Sequence, residues 1–226
     1  MKTIAIAIDG PAGAGKSTIA KLVANKLNIH YLDTGAMYRA VALKVLKEGL
    51  DPSNHEEVIS VLPSTHIGVT YQYGLQRVYL DGEDVTHLLR QPEVAKAASE
   101  VAVIPEVRMK LVELQRSIAQ NYSVVVDGRD IGTFVLPNAD KKFYLTATLE
   151  ERSRRRWLEM REKGYDQSLE EVKKELEARD RNDMSRAFAP LRKAEDAILI
   201  DTTGKSIEQV ANEVCGYLRD ISADGR

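Results

Sequence analysis

Residues 4–18 read Ile-Ala-Ile-Ala-Ile-Asp-Gly-Pro-Ala-Gly-Ala-Gly-Lys-Ser-Thr. A short apolar run, Ile4 to Ile8, leads directly into G-x-x-x-x-G-K-[ST], filled by Gly10, Gly15, Lys16 and Ser17. Ile19, Leu22, Val23 and Leu27 then recur at helical spacing. Strand, glycine loop and helix in that order are the context of a phosphate-binding P-loop. Glycine lets backbone N–H groups converge on an anion with no Cβ in the way. The helix start adds unpaired N–H groups and the positive end of its dipole. Lys16 is placed to reach the β- and γ-phosphates, and the Ser17 hydroxyl to ligate Mg²⁺. Residues Gly10, Pro11, Ala12, Gly13, Ala14, Gly15, Lys16, Ser17 and Thr18 are therefore expected to bind a nucleoside triphosphate.

The 226 residues suffice for one α/β domain with excursions. Lys plus Arg number 32 and Asp plus Glu 34, a formal charge of −2, so no basic excess points to nucleic acid or an anionic membrane. A single cysteine, Cys215, fits a reducing compartment. Apolar runs fall short of the ~20 residues that span a bilayer, and no signal-peptide layout precedes the first strand. A soluble, cytoplasmic protein is expected.

Further strands are expected at 29–32, 123–126, 142–145 and 197–200, with helices between them. Five short apolar strands alternating with helices predict a parallel sheet covered on both faces. Residues 66–85 break the alternation: 66–71 and 77–80 read as a hairpin, and Asp81-Gly82 as a further turn. This is an inserted antiparallel patch. Helices are expected at 55–62, stopping at Pro63, and from Thr86 to about Gln120, with Pro105 opening a new helix within that stretch; the closing helix is expected at 206–221. Ligands of such sheets bind beyond the strands' carboxyl ends, where Gly10, Asp33, Asp127 and Asp201 fall.

The charged stretch 149–186 reads as two helices joined at Lys163-Gly164. Arg152, Arg154, Arg155 and Arg156 crowd the first; Arg179, Arg181 and Arg186 the second. Arg179, Asp183 and Arg186, at i, i+4 and i+7, share a face. Guanidinium groups suit the equatorial charge of phosphoryl transfer. Two readings stand for the 152–156 cluster: a lid closing over phosphates, or a solvated face salt-bridged to Glu150, Glu151, Glu159 and Glu162.

Four segments follow one another in order: GPAGAGKST at 10–18, LDTGAMYRA at 32–40, DGRDIGT at 127–133 and RDRNDMSR at 179–186. Together they resemble the bacterial cytidylate kinases, nucleoside monophosphate kinases that move a phosphoryl group from ATP to CMP or dCMP. The likeness runs from Lys2 to about Val214, and VYLDGEDVT at 78–86 resembles the family's enlarged monophosphate-binding region.

The resemblance implies a single P-loop kinase domain over 1–226. Within it lie a monophosphate-binding insertion at 34–104, with its small sheet near 66–85, and a lid at 150–186. It assigns Thr34, Tyr38, Arg39, Ser99, Arg108, Arg129, Asp130, Arg179, Asp183 and Arg186 to CMP, with Asp130 accepting from the cytosine amino group. Thr34 stands where the family often has serine, so the hydroxyl is kept. Thr34 reads equally as a helix N-cap, and Ser99 and Arg108 as ordinary helix surface. Lys16, Arg39, Arg129, Arg152 and Arg156 are the expected catalytic charges. Mg²⁺ is the expected cofactor, on Ser17 and, through water, Asp127. ATP and CMP or dCMP are the expected partners, with no nucleic acid or membrane, and a monomer is implied. UMP, dTMP or shikimate are alternative acceptors. A GTPase-like switch is the rival class, but its guanine-reading N-K-x-D is missing from this chain: Asn25-Lys26-Leu27-Asn28 lacks the Asp and falls in the first helix.

Overall fold

A computed structural model describes residues 3–220. Ile221, the expected end of the closing helix, and the outermost ends of the 1–226 domain lie outside the described residues.

The chain runs β1 (Ala5–Asp9), α1 (Lys16–Leu27), β2 (His30–Asp33), α2 (Thr34–Lys47), α3 (His55–Val61), β3 (Ile67–Gln72), β4 (Leu75–Leu80) and β5 (Glu83–Asp84). It continues through α4 (Pro92–Val101), α5 (Pro105–Asn121), β6 (Val124–Asp127), β7 (Lys141–Thr146), α6 (Leu149–Glu162), α7 (Leu169–Ser185), β8 (Ile198–Asp201) and α8 (Ile207–Gly216). The five expected strands form one parallel sheet in the order β2-β6-β1-β7-β8. All four residues of β6 are buried, as a strand covered on both faces requires.

By its internal packing the chain divides into two units. One comprises residue 3 and residues 30–124; the other comprises 4–29 and 125–220. The expected insertion at 34–104 falls within the first.

In the first unit, α2 buries Met37, Val41 and Val45 on one stripe, at spacings of four. The three-stranded antiparallel sheet β3-β4-β5 packs on it. Tyr73 and Gly74, at φ 52° and 75°, make a two-residue turn that fixes the pairing Gln72↔Leu75. Asp81 and Gly82, at 52° and 90°, turn β4 into β5. Val78 and Leu80 point to the buried side. Proline opens both α4, at Pro92, and α5, at Pro105 as expected.

In the second unit, Ile6, Ile8, Phe143, Leu145 and Ile200 form the sheet's core with Ile19 and Val23 of α1, Val214 of α8 and Leu218 from the turn after it. The register Ile8↔Phe143 and Asp9↔Tyr144 carries β1 and β7 to a common end. Gly10 follows at φ 146°, and a Cβ there would lie 1.9 Å from the Leu145 carbonyl oxygen. Only glycine lets the loop leave the sheet so close to β7. Helices α6 and α7 are joined by residues 163–168, a longer connection than Lys163-Gly164, and Ser168 starts α7 with a full capping box.

Candidate active site

The donor loop, residues 10–15, connects β1 to α1, and Gly15 at φ 85° is the N-cap of α1 without a side-chain cap. No acidic residue occupies the first turn of α1. The first intrahelical bond there is Ile19 N–H to Gly15 C=O. Among the described residues, nothing accepts from the backbone N–H groups of 13–18. Six consecutive donors at the positive end of a helix form an anion cradle.

The other polar groups of the loop are occupied by the protein. The Lys16 ammonium donates to the Pro11 carbonyl at 2.7 Å. The Ala12 N–H donates to Asp180 Oδ1 at 3.2 Å, and its carbonyl accepts from Arg152 at 3.0 Å. Arg152 and Asp180 also pair directly, and Arg152 donates to the Ala147 carbonyl at 3.0 Å. Val172 and Leu176 of α7 pack on Ala12, with Leu149, Trp157 and Met160 of α6 around them. The two arginine-rich helices are thus seated on the donor loop.

Lys16 is 5% exposed. Burial pushes its ammonium well below the usual lysine range, and the neighbouring positive charge of Arg129 pushes the same way; Asp127 opposes. Ser17 Oγ donates to Asp127 Oδ2 at 2.8 Å. Arg129 Nε donates to Asp183 Oδ2 at 2.8 Å. Burial opposes the Arg129 charge, yet Asp183 raises its pKa above the ordinary value. Burial also works against the Asp183 carboxylate, but Arg129, Arg186 and Arg179 together hold it below the ordinary range. Lys16, Ser17, Asp127, Arg129, Arg179 and Asp183 therefore form one interacting group.

Asp130, 4% exposed, precedes a π-helical turn at Ile131–Val135. Arg186 is buried, donates from Nε to the Asp183 carbonyl at 3.2 Å and approaches Asp183 Oδ1 at 3.7 Å.

The 152–156 arginines divide by environment. Arg152 is buried in the Asp180 pair. Arg154 and Arg155 both bind Glu151, and Arg155 also donates to Thr202. Arg156 meets Glu159 at 2.9 Å, with both side chains exposed. The salt-bridged reading thus describes the last three, whereas Arg152 belongs to neither a free lid nor a solvated face. Arginine spacing could not separate these, because the buried partner lies 28 residues on.

In the first unit, Asp33 rather than Thr34 is the N-cap of α2, accepting from Ala36 N–H at 3.0 Å. Thr34 is the first helical residue and is buried. Asp33 Oδ2 also accepts from Arg39 at 2.8 Å. The Gln76 side chain grips the same residue's backbone, accepting from Asp33 N–H at 2.7 Å and donating to its carbonyl at 3.3 Å. At Gly35 a Cβ would lie 3.1 Å from both Arg39 and the Asp33 carboxylate, so glycine leaves room for that pair. Arg108, 1% exposed, is no surface residue: it lies 5.6 Å from the Tyr38 ring centre and donates to the Ala102 carbonyl. Ser99 is partly buried on α4.

Gln76, Asp180 and Asp9 were not singled out by sequence; Asp33 was placed at a strand end, but not as the cap of α2 or the partner of Arg39. Asp33 alone had a local signal, as an acceptor directly ahead of a helix.

Mg²⁺ fits the residues present. Ser17 Oγ and an Asp127 oxygen are hard donors already within hydrogen-bond distance of each other. No cluster of three or more metal-binding side chains occurs among the described residues. A magnesium ion that keeps waters and takes phosphate oxygens needs only one or two protein ligands. No helix among the described residues is long and apolar enough to cross a membrane.

The cytidylate kinase family model matches residues 6–220. A cytidylate kinase of Caldicellulosiruptor bescii is 56% identical over 95% of this chain and 95% of its own length. One from Clostridioides difficile is 53% identical over 95% and 97%. Among solved structures, a gluconokinase from Sinorhizobium meliloti superposes with a TM-score of 0.52 at 10% identity, covering 98% of this chain and 94% of that one. That likeness concerns the fold alone.

Proposed function

The chain belongs to the cytidylate kinase family, and on that premise we propose that it transfers the γ-phosphoryl group of ATP to CMP, releasing CDP and ADP, with dCMP as a second acceptor. The observation that carries this reading is the row of backbone N–H groups at 13–18, from which nothing among the described residues accepts, at the uncapped start of α1 beside the buried Lys16 ammonium. Six such donors at the positive end of a helix suit the phosphates of a nucleotide.

Residues 10–18 are assigned to ATP, with the free N–H groups of 13–18 on its phosphates. Thr34, Tyr38, Arg39, Ser99, Arg108, Arg129, Asp130, Arg179, Asp183 and Arg186 are assigned to CMP by the family resemblance. The nucleophile is a phosphate oxygen of CMP. A phosphate monoester loses its second proton near pH ~6, so no general base is needed. Lys16, Arg39 and Arg129 offset the repulsion between two anionic reactants and hold them in line. Arg152 acts through the Ala12 peptide it binds. Arg156 exchanges an exposed Glu159 contact, worth little in water, for a phosphate oxygen. Ser17 and, through water, Asp127 would hold Mg²⁺, which when bound would supply Lewis-acid charge that offsets the negative charge of the phosphates.

ADP production from ATP with CMP, dCMP, UMP, dTMP or shikimate tests the reading. CMP is expected to be the preferred acceptor; turnover with UMP as high as with CMP would sink the assignment, as would acceptor-free hydrolysis as fast as any transfer. Asp130→Ala should lower kcat/KM for CMP about ten- to a hundredfold more than for UMP, the worth of one discriminating contact. Equal losses on both acceptors would remove Asp130 from base recognition.

A further inference from the structure

Asp9 ends β1 and is 3% exposed, yet the transfer chemistry above makes no use of its carboxylate. Its backbone is held opposite Tyr144 by the β1–β7 register. Its side chain reaches the other way. Oδ1 accepts from the Ile131 N–H at 2.8 Å and Oδ2 from the Gly132 N–H at 2.7 Å. On the near side of the same segment, the Gly128 N–H donates to the Ile8 carbonyl at 3.1 Å. Arg129 and Asp130 are therefore the only two residues between a backbone anchor at 128 and a paired carboxylate anchor at 131–132. Both anchors belong to consecutive residues of the strand that opens the donor loop.

When the carboxylate is ionised, two adjacent N–H groups on it make charge-assisted bonds, shorter and stronger than neutral ones. Gly132 suits the arrangement: a Cβ there would lie 3.4 Å from Asp9 Oδ2 and 3.1 Å from Lys142 Cδ. A carboxylate is a costly group to bury, and an apolar residue would fill the space without that cost. What only the carboxylate does here is hold two successive peptide groups at once.

We infer that Asp9 is a positioning residue for acceptor recognition: its carboxylate fixes the 131–132 peptide and so sets the direction in which Arg129 and Asp130 project. The strand that delivers the ATP loop thereby also aligns the segment that reads CMP. This inference rests on the function proposed above.

The test is Asp9→Asn, which keeps the size but faces one of the two N–H donors with an NH₂ group. kcat/KM is measured with CMP and with UMP at saturating ATP, and KM for ATP separately. The CMP/UMP ratio is expected to fall about tenfold, the scale of one misplaced base contact, with KM for ATP held within about twofold. Gly132→Ala retains the carboxylate and asks its neighbours to yield by a few tenths of an ångström. It should lower the same ratio by a smaller factor, and it decides the matter if Asp9→Asn does not fold. An unchanged CMP/UMP ratio in whichever variant folds overturns the inference, since general destabilisation lowers both rates alike. A wild-type enzyme with no preference for CMP over UMP would refute the functional reading instead.

Discussion

Removing the Arg152 guanidinium by Arg152→Ala tests whether this side chain anchors the donor loop. Arg152 and Asp180 are 7% and 8% exposed. Beyond their mutual pair, Arg152 donates to the carbonyls of Ala147 and Ala12. Without it, the Asp180 carboxylate keeps the Ala12 N–H at 3.2 Å as its donor, beside an apolar cluster of Val172, Leu176, Leu149 and Trp157. Breaking a buried pair from one side costs about 3–5 kcal/mol. For a chain of this size each kcal/mol lowers Tm by about 2–4 °C, so the expected fall is about 6–20 °C. Replacing both partners by apolar residues of similar volume, Arg152→Met with Asp180→Leu, leaves no orphaned charge and should recover most of that loss. Urea unfolding of wild type, both single variants and the double variant closes the cycle, and a coupling of about 2 kcal/mol or more is expected. KM for ATP should rise in the single variants, because the Ala12 peptide loses its hold, while KM for CMP stays close to wild type. An Arg152→Ala protein that loses less than about 1 kcal/mol but turns over far more slowly would refute this reasoning. Arg152 would then be a phosphate ligand and its buried pairing incidental.

Lys16→Met keeps the length of the side chain and removes its charge; turnover should fall by two orders of magnitude or more for every acceptor alike, at about 1.4 kcal/mol per decade, and a loss confined to CMP would contradict a donor-side role. Asp9 supplies a pH test. Burial, opposed by the N–H groups of Gly132 and Ile131, pushes its pKa from 3.8 to about 7. Between those values the folded chain holds a proton that the unfolded chain has released, so stability falls as pH rises through the window and levels off above it. The slope reaches at most about 1.4 kcal/mol per pH unit. Urea midpoints at pH 5, 6, 7 and 8 should therefore show wild type losing ground to Asp9→Asn up to about pH 7; a difference that grows in the opposite direction would show that the carboxylate is not proton-bound in the folded state.

Local features of this chain were legible where a residue type answers to its immediate neighbours. Gly10, Gly15 and Lys16 announce the donor loop by spacing alone, and Val124 to Val126 announce a strand buried on both faces. Asp81-Gly82 announces a turn, and Pro105 a helix start. What escaped depends on residues distant in the chain. Asp9 and Ile131 are 122 positions apart, and Asp180 and Ala12 are 168 apart. An acidic residue in a charged helix, such as Asp180 within RDRND, reads as solvated until the fold supplies Ala12 and Arg152. Gln76 likewise sits in an unremarkable hairpin position, and only the fold places its amide on Asp33. Tyr73 was hidden for another reason: a tyrosine at φ 52° contradicts its own backbone preference, and the Gly74 beside it was the only hint of the turn. The two-residue β5 is too short to leave a periodic trace.

Helix capping gives the donor loop its meaning in a way that the motif alone cannot. Asp33, Asn54, Thr148, Ser168 and Ser206 accept from the first-turn N–H groups of α2, α3, α6, α7 and α8. Helices α4 and α5 begin with proline, which has no N–H to satisfy. Helix α1 has neither device. Glycine in place of a capping side chain costs only a few tenths of a kcal/mol, and this chain supplies side-chain caps freely elsewhere, so the omission at Gly15 is specific to the loop. A serine or aspartate there would occupy the very N–H groups that phosphate oxygens need, and an aspartate would repel them. It would also have to adopt φ 85°, where a side chain is strained. The loop's remaining polar groups point the same way: the Pro11 carbonyl and both polar groups of the Ala12 peptide are satisfied by Lys16, Asp180 and Arg152. The protein thus fixes the first half of the loop by its own bonds and leaves the donors of residues 13–18 to the triphosphate. On the proposed function, the phosphates of ATP would be the missing cap of α1, and the stability gained on binding them would belong as much to that helix as to the ligand.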